Sequence, residues 1–395
     1  MNAMLEKQMS AVHAPPLMSV VEPIMIVTTP SWGWKEAERD WVALANQSPY
    51  ASFFLCADWI GTWIETYRPC LDIEILRFFH VGQIVGACLL VWRWQRRGPV
   101  WIRRAYLNAS GEDECEEVGA EFNDMLCLRG WETAVADALR RHLDDRGWDE
   151  FVMNGCSRTE ASAALQQAFP GHEQNVTTVP SYYVDLNALR TRGELFEMSL
   201  SHKMRHHIRQ SIKLYQQSGQ LRLTRAQSIE DAQAMLAELA RLHQDRWTAK
   251  GRPGAFASAR FQQFHGAILE KCFDRGEIDI LRVSADHEAI GLLYNYVLKN
   301  KAFFYQCGFK FSDNKKLSPG LVTLQVALQS YLESELPEFD LMAGDLVYKR
   351  SLAKQHRELD WCTIRRPSWR NSLIDGLQDC RTRLAALIGR GRTKA

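Results

Sequence analysis

The sequence predicts an α/β or α+β chain of two similar domains, each with a mixed, mostly antiparallel sheet flanked by helices. Three strand-like runs follow one another over residues 71–107, and three more cover residues 277–309. Their alternation and their β-branched and aromatic residues are typical of strands, and the short polar links between them predict meanders. A helical pattern and a further strand follow each meander, from Gly130 and from Gly320. This repeated order indicates a duplicated α/β unit.

The length of the chain supports two domains. At about 150 residues per domain, a chain of 395 residues is long enough for two cores. We place a flexible N-terminal arm at 1–30, a first domain at 31–190, a second domain at 191–366 and a basic amphipathic C-terminal helix at 367–395. That last helix either docks on the core or meets an anionic partner, and its pattern does not choose between the two.

Composition excludes several classes of function. A formal net charge of +1 provides no global field for nucleic acid or membranes, so we expect no DNA partner. The ten cysteines show no CxxC and no paired metal spacing, which predicts reduced thiols, no metal site and a cytoplasmic location. No uninterrupted apolar run reaches the roughly 18 residues that cross a bilayer.

The helix of the second half opens with Ser318, Pro319 and Gly320. Ser318 is a plausible N-cap, Pro319 suits the first helical position, and Gly320 allows a close approach to the backbone donors. The opening is either an ordinary helix start or a phosphate site, because a helix N-terminus carries free N–H groups and partial positive charge. The first-half helix opens with "CLRGWET" and lacks this signal.

A basic helix is predicted between the two halves, in "SLSHKMRHHIRQSIKLYQQSG" from Ser199. Its cations are either a solvated face or a surface for a polyanion. His202 and His206 have the i, i+4 spacing of a helical metal pair. Neighbouring basic residues, and no adjacent Cys or carboxylate, favour ordinary helix polarity instead.

Five runs in order carry a family resemblance: "LSHKMRHHIRQS", "LHQDRWTAKGRPGAF", "FFYQCGF", "LSPG" and "FDLMAGDLVYKRSL". Together they resemble the BioF2-like acetyltransferases of the GNAT superfamily, a group that includes cellulose-biosynthesis acetyltransferases and is related to the Fem-type aminoacyl transferases. The likeness runs from about Trp32 to about Pro367. It implies tandem GNAT-like domains, the second of which holds the acyl donor.

The resemblance implies a coenzyme A site at the helix start of the second half. Ser318, Gly320 and Leu321 are expected to meet the diphosphate, because amide dipoles and N–H groups bind anions there. Tyr305 and Gly308 belong to the strand "AFFYQCGF", along which pantetheine is expected to add strand-like hydrogen bonds. The GNAT signature Q/R-x-x-G-x-G/A is absent. The identity of the donor, an acyl-CoA or another molecule, therefore stays open.

Catalytic residues are implied in "GDLVYKRS". Lys349 is the candidate for stabilising charge on the acyl centre, Tyr348 for protonating the departing thiolate, and Asp345 for orienting or deprotonating the amine. The alternative is a common Gly-Asp turn followed by a strand with a snorkelling base. Leu352 stands where the family often has Trp.

Two further groups are candidates for substrate binding. His243, Arg246 and Trp247 match a family segment on a helix, where they either meet ligands or face the core with the charge paired. Glu112 and Asp113 lie in an acidic cluster, which is either a solvated loop or a surface that attracts a cationic acceptor.

The sequence thus predicts an N-acyltransferase that moves an acyl group, most simply acetyl, from acyl-CoA to an amine. By family analogy the acceptor is an amino sugar or an amino-acid-like molecule of envelope or exopolysaccharide synthesis. One alternative is a Fem-like transferase that uses aminoacyl-tRNA. Another is a non-catalytic scaffold of a polysaccharide synthase.

Overall fold

The computed structural model describes residues 23–299 and 301–392. The first half contains β1 (Met25–Pro30), α1 (Trp34–Gln47), α2 (Ala57–Tyr67), β2 (Asp72–His80), β3 (Gln83–Arg97), β4 (Val100–Leu107), β5 (Leu126–Cys127), α3 (Glu132–Arg146), β6 (Glu150–Ser157), α4 (Glu160–Gln167), β7 (Glu173–Asp185) and α5 (Leu186–Thr191). The second half contains α6 (His202–Gln216), β8 (Leu221–Arg225), α7 (Ile229–Thr248), α8 (Ala259–Cys272), β9 (Ile278–Ala285), β10 (Glu288–Leu298), β11 (Lys301–Phe309), α9 (Pro319–Leu332), β12 (Glu338–Ala343), α10 (Val347–Leu352), β13 (Gln355–Arg365) and α11 (Trp369–Arg392).

The strands form one continuous sheet in the order β1-β2-β3-β4-β6-β13-β7-β12-β11-β10-β9-β8, and β5 pairs with β3. The ladders of this sheet are antiparallel except for β4 with β6 and β11 with β12. Both predicted meanders are present, as β2-β3-β4 and β9-β10-β11. The predicted fold class, a mixed and mainly antiparallel sheet flanked by helices, is confirmed.

The two halves exchange strands at the centre of the sheet. β7 of the first half pairs with β12 of the second half, while β13 of the second half pairs with β6 of the first. β7 and β13 also pair with each other over eleven positions. Hydrogen-bond ladders therefore tie the halves together, and the predicted domain boundaries at residues 190 and 366 stay predictions.

The predicted flexible arm is wrong for its last residues. Residues 25–30 form β1, which pairs with β2 in antiparallel register from Met25↔Phe79 to Pro30↔Glu74. The β-branched run "IVTT" suits a strand, and the free edge of β2 supplies its hydrogen bonds. The first 22 residues of the predicted arm lie outside the described residues. At the other terminus, α11 occupies the segment predicted as a C-terminal helix.

An aromatic core joins the two halves on one face of the sheet. Phe53 of the first half stacks on Tyr296 of the second with ring centroids 4.2 Å apart, and Trp59 meets Phe264 edge-on at 4.7 Å. Large aromatic contacts of this kind dominate core energetics, so the halves share one core as well as one sheet. None of the described helices combines the length and the apolar character needed to cross a membrane.

Candidate functional site

A cavity of about 570 Å³ opens where two central strands of the second half separate. β11 and β12 are paired only at Lys301–Phe303 with Glu338–Asp340. Beyond Phe303, the side chains of Phe304, Cys307 and Phe309 line the cavity. The cavity thus lies beside the part of β11 that follows its pairing with β12.

A β-bulge in β11 decides which side chains reach the cavity. Opposite β10, Asn295 pairs with Phe304 and Tyr294 pairs with Gln306, so Tyr305 is the extra residue. The bulge shifts the alternation and aims odd-numbered Cys307 and Phe309 at the same space as Phe304, as bulges near functional sites often do.

Tyr305 and Gly308, both predicted to bind the cofactor, lie outside the cavity. The hydroxyl of Tyr305 donates to the Val118 carbonyl and lies 3.2 Å from His265 Nε2, in the core between the halves. A Cβ on Gly308 would stand 2.4 Å from the carbonyl oxygen of Leu239 in α7. Gly308 is therefore required for the close packing of α7 on β11.

The remaining wall of the cavity comes from the end of α7, the start of α9 and the first turn of α10. These elements bring together seven of the predicted site residues: His243, Arg246, Trp247, Ser318, Gly320, Leu321 and Tyr348. Segments that lie more than 100 positions apart in sequence therefore converge on one space, as the predicted donor and acceptor sites require.

α9 begins at Pro319 with Ser318 in the N-cap position, as predicted, but the Ser318 side chain does not cap the helix. Its Oγ lies 2.7 Å from His207 Nε2, and its N–H donates to Ser211 Oγ at 3.0 Å. The amides of Gly320 and Leu321 belong to the first turn, where N–H groups have no intrahelical acceptor. They are available to an anion at the cavity wall.

Two cations stand at the mouth of the cavity against aromatic rings. The Arg246 guanidinium lies 3.8 Å from the ring centroid of Phe311, and Lys250 Nζ lies 5.1 Å from that of Trp247. Cation–π contact fixes such side chains without neutralising their charge. The mouth is therefore positive, like the helix start behind it.

Three titratable side chains in the cavity have shifted pKa values, and burial raises the pKa of the Cys307 thiol to about 12. Burial lowers the pKa of His243 below 6.5, although a hydrogen bond to Gln244 opposes the shift. Burial also raises the pKa of Tyr348 well above 10, with a smaller contribution from Cys307. At neutral pH the cavity therefore holds a neutral imidazole, which accepts a proton, and a protonated phenol, which donates one.

Lys349, the predicted electrostatic catalyst, is buried behind the cavity wall. Its Nζ donates to the carbonyls of Met342 at 2.9 Å and Ala343 at 2.6 Å. Burial lowers the pKa of Lys349, while the charges of Glu121 and Asp340 oppose the shift. Two of its donors are thus committed to the backbone at the end of β12.

A strained kink explains why charged side chains surround the end of β12. Met342 has φ 63° and Gly344 has φ 127°. The Met342 N–H donates to Asp340 Oδ1, and the Ala343 N–H donates to Glu121 Oε2, both at 2.7 Å. With Lys349 on the two carbonyls, buried side chains satisfy both peptides. We name Glu121, Asp340 and Lys349 the kink clamp.

Asp345 lies away from the cavity, on the exposed surface. Its Oδ1 accepts from the Tyr182 hydroxyl at 3.0 Å and from Arg350 Nη1 at 2.5 Å. The predicted grouping of Asp345 with Tyr348 and Lys349 is therefore wrong in space. Asp345 precedes α10, whereas Tyr348 and Lys349 lie within it.

The acidic cluster of the first half lies between the halves, but several of its charges already have partners. Asp113 pairs with Arg93 at 2.8 Å, and Glu116 pairs with Arg260 of the second half at 2.9 Å. Glu112 Oε1 accepts from Trp63 Nε1 at 2.9 Å while its Oε2 is buried without a hydrogen bond. Burial raises the pKa of Glu112 to about 7. Neither Glu112 nor Asp113 lines the cavity.

Sequence reasoning missed four residues that shape the site: His207, Ser211, Phe311 and Glu121. Their contacts link segments far apart in the chain, so periodicity gives no signal for them. The basic helix pattern pointed to the region of His207, but only the packing of α6 on α9 selects this histidine. Glu121 follows the acidic cluster without any local sign that it reaches the second half.

One group of three metal-type ligands occurs among the described residues, at Asp58, Cys272 and Glu277. Arg275 Nη2 donates to both carboxylates at 2.6 Å and lies 3.5 Å from Cys272 Sγ. A guanidinium therefore already takes the place of a cation in this cluster.

Comparison with protein families matches residues 202–350 to the Acetyltransferase (GNAT) domain. This segment holds the cavity, α7, β11, α9 and most of α10. Residues 202–350 thus match a GNAT-type acetyltransferase domain, and the predicted enzyme class, an acyltransferase, is confirmed at this level. No curated protein matches the chain.

Solved structures with a similar fold cover nearly the whole chain. The L-PGS structure from Bacillus licheniformis is 10% identical, has a TM-score of 0.51 and covers 89% of this chain and 96% of its own. A C-terminal domain described as belonging to a lysylphosphatidylglycerol synthetase from Agrobacterium fabrum is 11% identical, with a TM-score of 0.50 and coverages of 88% and 96%. A tandem GNAT protein from the clavulanic acid biosynthesis pathway is 14% identical, with a TM-score of 0.46 and coverages of 87% and 99%. At these identities the likeness concerns the fold.

Proposed function

We propose that the protein is an N-acyltransferase that moves an acyl group, most simply acetyl, from acyl-CoA to an amine in the cavity of the second half. One observation carries this proposal: the start of α9, Tyr348 and His243 line the same cavity. An anion-binding helix terminus, an acid and a base then share one space.

The donor fits the α9 side of the cavity. The amides of Gly320 and Leu321 and the dipole of α9 suit a diphosphate, and Arg246 and Lys250 add positive charge at the mouth. The first turn of α9 contains no acidic side chain that would repel it. Apolar walls such as Phe309 suit the uncharged pantetheine arm.

His243 and Tyr348 suit the proton transfers of amide formation. The amine nitrogen attacks the thioester carbon, a C–N bond forms, and the C–S bond breaks. The nitrogen loses a proton to neutral His243, and the thiolate takes a proton from Tyr348; exchange with solvent restores both groups. The kink clamp has a positioning role, because it fixes the end of β12, which leads into α10 and Tyr348.

The class of acceptor rests on the family resemblance. An amino sugar or an amino-acid-like amine of envelope or exopolysaccharide synthesis is the proposed acceptor, and the BioF2-like type is the proposed subgroup. Cytoplasmic location and contact with polysaccharide-synthesis machinery belong to the same proposal. The acidic loop would attract a cationic acceptor through its exposed members, such as Asp113.

A second candidate donor is aminoacyl-tRNA, and the position of α6 favours it. The His207–Ser318 contact sets α6 beside the start of α9, and exposed Lys203 and Lys213 extend the positive surface along that helix. A phosphate track on this surface would give binding that falls steeply with salt.

Thermal shift and an amine panel test the proposal. Acetyl-CoA at 100 times its dissociation constant should stabilise the protein by about 2.7 kcal/mol, and a CoA analogue without the diphosphate should not. Transfer to a panel of amino sugars and amino acids should follow, with an acid limit of kcat/KM below pH 6.5 because the pKa of His243 is lowered. If no acyl-CoA shifts the melting temperature and aminoacyl-tRNA binds in a salt-sensitive way, the donor is aminoacyl-tRNA instead of acyl-CoA. If the protein binds neither acyl-CoA nor aminoacyl-tRNA, and a Tyr348→Phe variant keeps its function in the cell, a non-catalytic scaffold is favoured.

A further inference from the structure

A surface of exposed tryptophans and arginines lies at the end of the first half, far along the sheet from the cavity. Trp94 and Trp101 are 54% and 55% exposed on the β3–β4 hairpin, and Trp369 is 68% exposed at the start of α11. Single exposed aromatic residues are common on protein surfaces. Three on adjoining elements indicate an interaction surface, which we name the Trp/Arg patch.

The hairpin register groups aromatic and basic side chains on one face. Trp94 pairs with Arg103 and Arg96 pairs with Trp101, so all four side chains point to the same side of the hairpin. The parallel ladder of β4 with β6 begins only at Arg104. The hairpin tip therefore extends past the neighbouring strand and presents this face at the end of the sheet.

α11 packs on the opposite face of the hairpin, because the side chains of Val100 and Ile102 alternate along β4 with those of the Trp/Arg patch. Ile374 packs against Val100 and Ile102 of β4. Trp369, Leu373 and Leu377 follow one another at four-residue spacing, and the two leucines are 46% and 43% exposed. Residues at this spacing lie on one helix face, so they form an apolar stripe that the packing of Ile374 leaves uncovered.

A cavity of about 370 Å³ lies between the two elements and is rich in guanidinium groups. Its cationic lining consists of Arg103, Arg146, Arg366 and Arg370. Asp149 is its acidic lining residue and accepts from Arg370 at 3.4 Å. Arg370 also lies 5.4 Å from the Trp94 ring and 5.1 Å from the Trp369 ring, and so joins the hairpin to α11.

We propose that the Trp/Arg patch docks the protein on a membrane surface that contains anionic phospholipids. Amphipathic Trp rings prefer the headgroup region, where one edge is apolar and the other wet. Arginines bind phosphate groups in a fork geometry. The patch combines both features around Arg370, which contacts the rings of Trp94 and Trp369, and its excess of arginine complements anionic headgroups.

Vesicle sedimentation with the full chain tests this surface. We expect binding to phosphatidylcholine vesicles that contain phosphatidylglycerol, at least tenfold weaker binding to pure phosphatidylcholine, and a decrease as salt rises. The double variant Trp101→Ala/Trp369→Ala should lose at least tenfold in binding to the anionic vesicles. The matched control is Leu195→Ala/Met198→Ala, which removes two exposed apolar side chains of the second half and should bind as the wild type does.

Several results would overturn the proposal. Equal binding by the tryptophan variant and the wild type, or no binding to either vesicle, would exclude a membrane role for the patch. Inorganic phosphate at the concentration of the vesicle phosphatidylglycerol is the competitor. If it displaces the protein completely from the vesicles, the arginine cavity binds free phosphate. A dimer in light scattering that the tryptophan variant loses, without vesicle binding, would assign the patch to a second copy of the chain. None of these readouts depends on acyl transfer.

Discussion

The two halves of the molecule share one plan, but only the second keeps the gap between its central strands open. β4 and β6 are paired over three positions, just as β11 and β12 are. Beyond those positions both pairs of strands separate. In the second half the gap is the cavity, whereas in the first half the chain itself fills it.

The plug of the first half consists of residues 122–125. Asn123 forms a parallel bridge with Cys156 of β6. Its side chain accepts from Asn108 at 2.7 Å and donates to the carbonyls of Leu107 and Asn154 at 3.2 Å. Backbone and side-chain hydrogen bonds thus fix residues 122–125 between β4 and β6.

The helix after each gap differs in charge as well. Glu132 stands in the first turn of α3, where its Oε1 accepts from Gly130 N–H at 3.0 Å and from Tyr50 at 2.5 Å. The first turn of α9 has no acidic residue. A carboxylate within the chain therefore complements the dipole of α3, while the dipole of α9 is left for a ligand. Duplication provided the scaffold, and these local differences separate a structural half from a chemical half.

The largest expected effect is on the acid of the open half. Tyr348→Phe keeps the ring in the cavity wall but removes the proton donor, so kcat should fall about 10²- to 10⁴-fold. Steady-state kinetics with acetyl-CoA and the best amine measure this loss, and an unchanged melting temperature serves as the control. Wild-type kcat in this variant would remove Tyr348 from the mechanism.

Glu112→Gln tests whether the acidic loop has a structural or an acceptor role. Because the pKa of Glu112 is raised to about 7 in the folded protein, the wild type loses stability as pH rises from about 4.5 to 7, where the unfolded chain ionises first. The variant avoids this loss, so its stability relative to the wild type should be about 2.5 kcal/mol greater at pH 8 than at pH 5. Denaturant unfolding at the two pH values measures the difference. A raised KM for the amine at constant stability would instead support acceptor binding.

Asn123→Ala should weaken the plug of the first half without changing the donor site. Removing this side chain breaks its three hydrogen bonds, while the Asn108 amide keeps the Asp124 carbonyl and the Leu107 carbonyl keeps Ser110 Oγ, so we expect a cost of about 2 kcal/mol in unfolding free energy. Acetyl-CoA affinity should stay at the wild-type value. A parallel loss of donor affinity would show that the first half takes part in donor binding.

Leu321→Glu gives α9 the acidic first turn of α3 and should produce the smallest effect. The new carboxylate should stabilise the helix by about 0.5 kcal/mol yet weaken acetyl-CoA binding roughly tenfold through repulsion of the diphosphate. Leu321→Gln has nearly the same shape without the charge and should retain most of the affinity. Calorimetric titration of both variants with acetyl-CoA measures this difference. Equal acetyl-CoA affinities of the two variants would refute binding of the diphosphate at the start of α9.

Periodicity and turn chemistry in the sequence are sufficient to predict the repeated units. The six meander strands, the two helices after them and the start of α9 at Pro319 depend on local patterns, and the structure confirms them. The family resemblance adds His243, Arg246 and Trp247, which do meet Ser318, Gly320 and Leu321 in space. The shared fold brings these segments together, so the resemblance is enough to predict that they converge.

Pairings between distant residues were not predictable. The strand exchange of β7 and β13 depends on which sheet edges are free after both halves have formed. The bulge at Tyr305 adds one residue to a strand whose alternation otherwise looks regular, and it moves Tyr305 into the core. The bond of Glu121 to Ala343 joins residues 222 positions apart. Local sequence patterns therefore cannot predict such distant partners.

Hydrogen exchange with and without acetyl-CoA tests the difference between the halves most directly. We predict slower exchange for the amides at 304–309 and 320–322, with no change at 122–132 of the first half. Protection of 122–132, or acetyl-CoA turnover with no protection at the start of α9, would contradict the assignment of the open half as the donor site.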